Sequence, residues 1–514
     1  MLICLPEVGP SYVFSTKKIS FPSSFTILFI VLILAAVLTF IVPAGSYTKL
    51  SYDPVNSCFL LTAPDGSVRS CPATDASLEA LGISSKASAF VDGSITSSIS
   101  VPDTYERLSQ EGQGLIALLE APVNGVYATI SIMLFILILG GSIGVLNATG
   151  AFNAGIAALS RAAKGREFLL IIFITVLMAL GGTTFGLAEE TVALYPILLP
   201  VFMMAGYDPL VCVAAVFMGS SIGVTFSTSN PFAAVIASNA AGISFTDGLG
   251  FRIAGLGLGL CLVLAYVLRY ARRVHKTPSL SLVCDQGQAI GQKYALPSKP
   301  PRLTGRIKLM LIIFLAGFIV MTWGVASLGW SFLEMTTLFL AVGLLLGLCS
   351  GLSEKEFIHH FITGASDLVS VGLVVGIARG VNLILQEGLI SDTILYALSG
   401  SIRGMSPYLF IVLMLFIFAF LGFFINSSSG LAMLAIPIMA PLAAAVGAPT
   451  HAVISAYLYG LGLVTFITPT GMVLVSLEMV DITYDRYLKF ALPLMLMLTV
   501  FSITMLLLEV GFAA

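Results

Sequence analysis

Two adjacent glutamates, Glu189 and Glu190, interrupt a run of apolar segments that are long enough to enter a lipid bilayer. A carboxylate in hydrocarbon costs at least about 2.5 to 3.5 kcal/mol, so each glutamate needs a partner or a wet cavity. Together they would attract a cation, such as a proton, a sodium ion, or the amino or guanidinium group of a solute. The structural alternative is that one glutamate starts the following helix, where negative charge is favourable. We expect at least one of the two glutamates to take part in the function of the protein.

Neutral hydroxyl and amide groups cluster at further interruptions of apolar sequence, at 226–231, 423–430 and 466–471. Unpaired backbone groups cost several kcal/mol in hydrocarbon, so broken helices persist only where they are buried in protein or line a cavity. The exposed carbonyls and half-helix N-termini could then bind an ion or a carboxylate. The alternative for any single Ser or Thr is a hydrogen bond to its own helix. The candidate substrate contacts are Glu189 and Glu190 with Thr184, Ser227, Thr228, Ser229, Asn230, Asn426, Ser427, Ser428, Ser429, Thr468 and Thr470. Transport could be coupled to a sodium ion bound near Ser229, Asn230, Asn426 and Ser427, or to a proton.

Arg379 is the single basic residue in the middle of an apolar segment, and we include it among the substrate contacts. It could hold a substrate carboxylate or neutralise one of the glutamates, and the sequence favours neither role. The four histidines, His275, His359, His360 and His451, fall at segment edges, and none is predicted to be a ligand or proton relay. No zinc or iron–sulfur site and no cofactor is expected. Cys58 and Cys71 share one polar segment and could form a disulfide in an oxidising compartment.

The composition places these residues in a membrane protein. Of 514 residues, 58% are hydrophobic and 10% are charged, and the mean hydropathy is +1.02. No soluble fold hides that much apolar surface, and disordered, coiled-coil and disulfide-scaffold proteins are excluded as well. The net charge of −2 argues against a nucleic-acid partner. Without a metalloprotease, hydrolase or phosphate-loop motif, we expect no enzymatic activity.

About ten to thirteen apolar windows are long enough to be membrane spans. The positive-inside rule predicts a cytoplasmic N-terminus. The predicted location of this multi-pass protein is the cytoplasmic (inner) membrane. The predicted organisation is an N-terminal region and first span (1–44), an extracytoplasmic loop (45–115), a first repeat (116–272) with a hairpin (167–206), a cytoplasmic linker (273–307), scaffold helices (308–350), and a second repeat (351–514) with a hairpin (405–447).

The chain repeats itself at an offset of about 240 residues. Val224-Thr225-Phe226-Ser227-Thr228 aligns with Val464-Thr465-Phe466-Ile467-Thr468, and Pro196–Pro200 aligns with Pro437–Pro441. Charge placement gives the two copies opposite topology, which is typical of alternating-access transporters. Chance similarity between apolar stretches is the alternative. The predicted fold class is an all-α polytopic membrane protein with inverted repeats, two re-entrant hairpins and two broken helices.

Six motifs together carry a family resemblance: IVPAG (41–45), GGTTFGLAEETVALYPILLPV (181–201), FSTSNPF (226–232), IASNAAGISF (236–245), NSSSGLAMLAIPIMAPL (426–442) and FITPTG (466–471). The chain resembles the YfcC-like and ArcD-like arginine/ornithine antiporters of the C4-dicarboxylate anaerobic carrier group, part of the ion transporter superfamily. The resemblance implies a homodimer with a scaffold domain, a mobile transport domain carrying two opposed hairpins, and an elevator motion. The superfamily's Ser-Asn-Thr signatures are present only approximately, as Ser229-Asn230-Pro231 and Asn426-Ser427-Ser428.

Three functions stay open at this point. The first is exchange of arginine for ornithine or another basic amino acid, which the resemblance implies and the paired glutamates fit. The second is an ion- or proton-coupled carrier of C4-dicarboxylates or other carboxylates, for which Arg379 is the available cation. The third is a channel that uses the broken helices as a filter.

Overall fold

The computed structural model describes residues 22–513 except 94, 96, 156–157, 159–165, 287–289, 291–302, 329 and 401–404. Within these residues, ten helices are long and apolar enough to cross a membrane, which confirms the prediction of a polytopic helical protein. Much of the predicted linker and N-terminal region lies outside the described residues, together with the basic residues Lys17, Lys18, Arg161, Lys164, Lys293, Lys299, Arg302 and Arg403 that contributed to the predicted orientation.

Helices form most of the described chain. In the first half they are α1 (Ser24–Ile41), α2 (Asp75–Ala80), α3 (Ala87–Val91), α4 (Leu115–Ala128), α5 (Ile130–Ala148), α6 (Glu167–Phe185), α7 (Tyr195–Met204), α8 (Pro209–Thr225), α9 (Pro231–Ala240) and α10 (Leu249–Lys276). In the second half they are α11 (Gly305–Leu328), α12 (Phe332–Ser350), α13 (Glu354–Ser366), α14 (Val369–Glu387), α15 (Ser391–Gly400), α16 (Pro407–Phe424), α17 (Ser428–Ala445), α18 (Thr450–Thr465), α19 (Met472–Met479) and α20 (Tyr484–Ala513).

The all-α expectation fails in one place, because the segment predicted to be a polar loop contains β-structure. We call residues 45–107 the sheet domain. Its strands are β1 (Gly45–Ser46), β2 (Lys49–Asp53), β3 (Cys58–Thr62), β4 (Val68–Pro72), β5 (Ile99–Ser100) and β6 (Glu106–Arg107). Four strands form an antiparallel sheet in the order β4-β3-β2-β5, and β1 pairs with β6. The turn between β3 and β4 uses Gly66 at φ 83°, a conformation that a residue without a Cβ adopts at little cost.

Cys58 and Cys71 lie on neighbouring strands of the sheet domain, and both are free thiols. The strand register places Cys58 opposite Pro72 and Cys71 opposite Phe59. The two cysteines are therefore offset by one register position rather than paired directly. The disulfide that the sequence left open is not formed in this structure.

Contacts with helices at two places hold the sheet domain against the membrane-spanning part. Lys49 Nζ lies 2.9 Å from Asp392 Oδ2 on α15, and the same carboxylate accepts a hydrogen bond from the Tyr47 N–H. The Tyr105 ring stacks on the Tyr396 ring at 4.2 Å between centroids. On the other side, the Ser85 hydroxyl donates to the Asn239 carbonyl in α9 at 2.8 Å. The sheet domain thus contacts helices from both halves of the chain.

Small residues set the closest helix contacts. Helix α4 packs on α14, and α5 packs on α13. A Cβ added to Gly380 would lie 2.5 Å from the Ala121 carbonyl oxygen, and one added to Gly140 would lie 2.6 Å from the Gly364 carbonyl oxygen. Backbones that approach this closely gain van der Waals contact, the main attraction between helices in lipid.

The helix pairs that flank the interrupted segments are matched in the two halves. In the first half α6 packs on α8, and in the second α16 packs on α18. The two pairs meet where α8 crosses α18, because a Cβ on Gly462 would lie 2.6 Å from the Thr225 Cα. The ends of α8 and α18, which precede the interruptions at 226–231 and 466–471, therefore lie side by side.

We predict that Gly144→Ala destabilises the protein by about 1 to 3 kcal/mol, because the new methyl group meets only backbone atoms of His360 and Gly364. The matched control is Gly257→Ala, at an exposed helical position with no atom within 4 Å of the added Cβ. That control should be neutral or slightly stabilising, since glycine is the less favourable helix residue. The free energy of unfolding in mixed micelles measures both effects. Equal effects would contradict close packing at Gly144.

Candidate substrate-binding cavity

A cavity of about 620 Å³ lies where the interrupted segments of the two halves meet. It is bordered by the α6–α7 connection, the interruptions that follow α8 and α18, the start of α17, and one face of α14. Aromatic side chains such as Phe217, Trp330 and Phe332 complete its wall. Nine of the fourteen predicted site residues line it, namely Glu189, Glu190, Arg379, Asn230, Asn426, Ser427, Ser428, Ser429 and Thr470.

The acidic wall of the cavity is the connection between α6 and α7. Helix α6 ends at Phe185 with Gly186 in the left-handed conformation, φ 73°. The chain then forms a short 3₁₀ turn, Glu189–Leu194, before α7 begins. Glu190 Oε2 accepts a hydrogen bond from the Ala188 N–H at 3.1 Å. In the part of the chain that the structure describes, neither glutamate forms an ion pair, so both carboxylates remain available to a solute.

The basic wall is α14, which carries Arg379 and, one helical turn later, Asn382. Arg379 is partly exposed to the cavity. Among the described residues it makes no ion pair, and Asn382 Oδ1 is buried without a hydrogen-bond partner. Asn382 was not among the predicted site residues. The spacing of three residues from Arg379 places it on the same helix face and would have indicated it.

Two asparagines, one in each half, connect a helix connection to the neighbouring interruption. Asn230 Oδ1 accepts a hydrogen bond from the Phe232 N–H at 2.9 Å and so caps the start of α9. Its amide also lies against Gly186, where an added Cβ would be 2.9 Å away. In the second half, Asn426 Nδ2 donates to the Thr470 carbonyl at 3.1 Å. In each half, an amide therefore joins the helix connection to the neighbouring interruption and still borders the cavity.

Three consecutive serines form the start of α17. The Ser427 hydroxyl accepts from the Gly430 N–H at 3.2 Å as the N-cap, and the Ser428 carbonyl accepts from the Tyr457 hydroxyl at 2.6 Å. The remaining first-turn N–H groups and the positive end of the helix dipole favour an anionic group here. This end of the cavity can thus hold a carboxylate or a neutral polar group.

The other five predicted site residues do not line the cavity. Ser227 donates to the Val224 carbonyl at 2.7 Å, and Thr184 donates to the Leu180 carbonyl at 2.6 Å, so both hydroxyls bond within their own segment. Thr468 is buried, with its hydroxyl 3.0 Å from that of Thr470. The remaining two hold the first interruption to α6 through backbone bonds: they are Thr228 and Ser229, whose N–H groups each donate to the Thr183 carbonyl at 3.2 Å.

The sequence did not indicate the residues that satisfy the backbone of the interruptions. Thr183 Oγ1 donates to the Phe226 carbonyl at 3.1 Å and accepts from the Thr228 N–H at 3.0 Å. At the second interruption, the Tyr487 hydroxyl donates to the Phe466 carbonyl at 2.8 Å, and the Tyr484 hydroxyl donates to the Ile467 carbonyl. A tyrosine hydroxyl in an apolar helix usually needs such a partner, but the sequence does not say which one.

These features define a multi-pass membrane transporter with a central polar cavity, and comparison with known proteins gives the family. The chain belongs to the C4-dicarboxylate anaerobic carrier family, whose family model matches residues 21–511. It is 47% identical over 481 residues to an uncharacterized protein of Haemophilus influenzae, covering 93% of this chain and 94% of that protein. It is 28% identical over 506 residues to the Escherichia coli (strain K12) protein named "Putative basic amino acid antiporter YfcC", covering 95% and 96%. The resemblance drawn from the motifs is confirmed.

Two solved transporters align along nearly the whole chain at low similarity. The YdaH transporter of Alcanivorax borkumensis is 16% identical, with a TM-score of 0.38 and coverage of 96% of this chain and 99% of that chain. MtrF of Neisseria gonorrhoeae, described as an antimetabolite efflux pump, is 15% identical, with a TM-score of 0.38 and coverage of 96% of both chains. Similarity at this level supports no inference about site or substrate.

We predict that Thr183→Val weakens the first interruption, because the Phe226 carbonyl loses its hydroxyl donor while the side-chain shape is kept. Leaving such a buried group unpaired costs about 1 to 3 kcal/mol in unfolding free energy. The control is Thr322→Val, where an exposed hydroxyl bonds only to the Phe318 carbonyl of its own helix. Thermal unfolding in detergent should separate the two variants, and indistinguishable midpoints would show that the Thr183 hydroxyl does not stabilise the interruption.

Proposed function

We propose that this protein is a secondary-active exchanger of basic amino acids, of the arginine/ornithine type. The observation that carries the proposal is the set of charges around the cavity: two carboxylates, Glu189 and Glu190, and one guanidinium, Arg379. Arginine and ornithine each carry two cationic groups and one carboxylate. The charge types and numbers of such a solute complement those of the cavity, so each charged side chain of the cavity would acquire a partner on binding.

A dicarboxylate fits the same cavity less well. Its two negative charges would meet Arg379 and the start of α17, but they would also face Glu189 and Glu190. Like charges that bulk water screens only weakly repel strongly unless a proton or metal ion neutralises them. A dicarboxylate carrier that is ion- or proton-coupled is therefore the second candidate, and the family's description supports it. The name of the Escherichia coli relative supports the first candidate.

We also propose that the two halves are inverted repeats whose interrupted helices and re-entrant hairpins provide alternating access. The matched packing of α6 on α8 and of α16 on α18 supports this architecture. So does the placement of both pairs of interruptions at one cavity. Inverted repeats allow the same set of contacts to form twice, once for each face of the membrane. An elevator motion and a homodimer, both implied by the resemblance, stay predictions.

The proposed location is the cytoplasmic (inner) membrane, with a cytoplasmic N-terminus and the sheet domain outside. Basic residues at the end of α10 and the start of α11 support this orientation. Those residues are Arg269, Arg272, Arg273, Lys276, Arg306 and Lys308. A sodium ion near Ser229, Asn230, Asn426 and Ser427 stays a prediction. Asn230, Asn426 and Ser427 border the cavity, whereas Ser229 does not.

The central prediction is that proteoliposomes loaded with ornithine take up labelled arginine by counterflow. Glu190→Gln should raise the half-saturating arginine concentration by about tenfold or more, because losing a charged hydrogen-bond partner costs about 1.5 to 3 kcal/mol. The matched control is Glu354→Gln, which removes an exposed carboxylate from the first turn of α13. Counterflow no greater than in empty vesicles would overturn the proposal, and equal effects of the two variants would remove Glu190 from the site.

A second prediction separates the two roles open to Arg379. If its guanidinium holds the substrate carboxylate, Arg379→Gln weakens competition by arginine about tenfold but leaves competition by agmatine, which lacks the carboxylate, unchanged. If Arg379 instead neutralises the glutamates, both competitors are affected alike.

Labelled succinate tests the second candidate function. A dicarboxylate carrier would lose succinate transport in Arg379→Glu and keep it in Glu190→Gln.

A further inference from the structure

A second group of buried charges lies away from the cavity, where α10, α18 and α20 meet. Glu509 on α20 has no exposed surface, and Arg252 on α10 is 1% exposed. Glu509 Oε1 accepts a hydrogen bond from the Ser455 hydroxyl at 3.0 Å, while Oε2 is buried without a partner among the described residues. A carboxylate in this setting must be neutralised by a counter-charge or by a proton.

Arg252 does not supply that counter-charge directly. Its Nη2 donates to the Phe245 and Asp247 carbonyls of the preceding loop. Its Nη1 has no hydrogen-bond partner in the described chain, and no ion pair joins it to Glu509. The guanidinium therefore fixes the loop at 245–247 and contributes positive potential nearby without capping the carboxylate.

His451 lies between the carboxylate and the surface of the protein. Its Nε2 lies 3.7 Å from Glu509 Oε1, and its side chain is 25% exposed, whereas that of Glu509 is 0% exposed. Gly248, at φ 72°, allows this approach, because a Cβ there would lie 2.8 Å from Glu509 Oε1 and 2.9 Å from His451 Cδ2. An imidazole that is exposed at the protein surface on one side and lies near a buried carboxylate on the other can pass a proton inward.

Two further titratable groups lie near the pair. Asp247 lies in the loop before α10, and its carbonyl accepts a hydrogen bond from Arg252. Tyr459 of α18 has a buried hydroxyl without a partner in the described chain. Its ring lies 4.5 Å from the ring of Phe226, the first residue of the interruption that leads to Asn230. Tyr459, which lies close enough to Glu509 to interact with it electrostatically, therefore also contacts the side chain of the residue that begins the interruption.

From this arrangement we propose that Glu509 and His451 form a proton-binding site separate from the substrate cavity. The proton enters at His451 and is bound by the Glu509 carboxylate, which becomes neutral. On the predicted orientation the site faces the extracytoplasmic side, because α10 starts and α20 ends there. This site differs from the sequence-based expectation, which assigned no relay role to His451. Proton binding stands independently of the proposed function, whereas coupling of that proton to exchange rests on it.

Infrared difference spectroscopy of the purified protein tests proton binding directly. A pH titration should show the carbonyl stretch of a buried protonated carboxyl group, and that band should disappear in Glu509→Gln. It should persist in Glu354→Gln, which removes an exposed carboxylate. His451→Gln keeps the carboxylate and should shift the pH midpoint of the band, which covers the case of a Glu509 variant that does not fold. A band unchanged in both site variants overturns the proposal.

Proton coupling is tested with a pH-sensitive dye inside ornithine-loaded proteoliposomes. Addition of external arginine should cause protons to cross the membrane of vesicles that contain the wild-type protein. In Glu509→Gln, the rate of proton movement should fall at least tenfold more than the rate of labelled-arginine exchange. Wild-type exchange with proton movement unaffected by Glu509→Gln overturns coupling at this site. Absence of arginine exchange in the wild type overturns the proposed function instead, and the infrared band then decides the proton site by itself.

Discussion

The architecture depends on how the backbone is satisfied where helices stop inside the apolar part of the molecule. Each interruption releases carbonyl and N–H groups that cannot bond to water within hydrocarbon. The protein provides partners from neighbouring segments: Thr183 for Phe226, Tyr487 for Phe466 and Tyr484 for Ile467. With those groups paired, Glu189, Glu190 and Arg379, which form no ion pair among the described residues, line the cavity. These unpaired charges are the reason for proposing that a solute binds there.

Close helix packing holds these interruptions in register. Lipid tails are as apolar as leucine, so burial of apolar side chains gives little attraction between helices in a membrane. Glycines at the α4–α14 and α5–α13 contacts allow backbone approach instead. Arg379 lies next to Gly380, one of these contact glycines. Because α14 packs tightly on α4, the position of Arg379 relative to the acidic wall is fixed.

Sequence reasoning located the interruptions because proline, glycine and serine within apolar windows are visible without coordinates. It could not decide which hydroxyls face the cavity, because a shift of one position along the chain points a side chain in a different direction. Ser227 and Thr468 are examples, since their hydroxyls bond to other groups of their own segment. It also missed partners from distant helices, such as Tyr487, because only tertiary packing brings them close. The sheet domain was missed for another reason: its strands are short, from two to five residues, and their pairing is set by turns rather than by a long alternating pattern.

The separation of charge in the cavity has an energetic consequence for transport. Glu189 and Glu190 on one wall and Arg379 on another are held by different helices and do not pair with each other among the described residues. A direct pair would neutralise both walls and leave little for a solute to gain. On the proposed function, because the charges stay apart, a basic amino acid would bind most strongly when both walls reach it together. A state in which one wall moves away would bind the solute more weakly, and this difference in affinity is what allows binding to shift a conformational equilibrium.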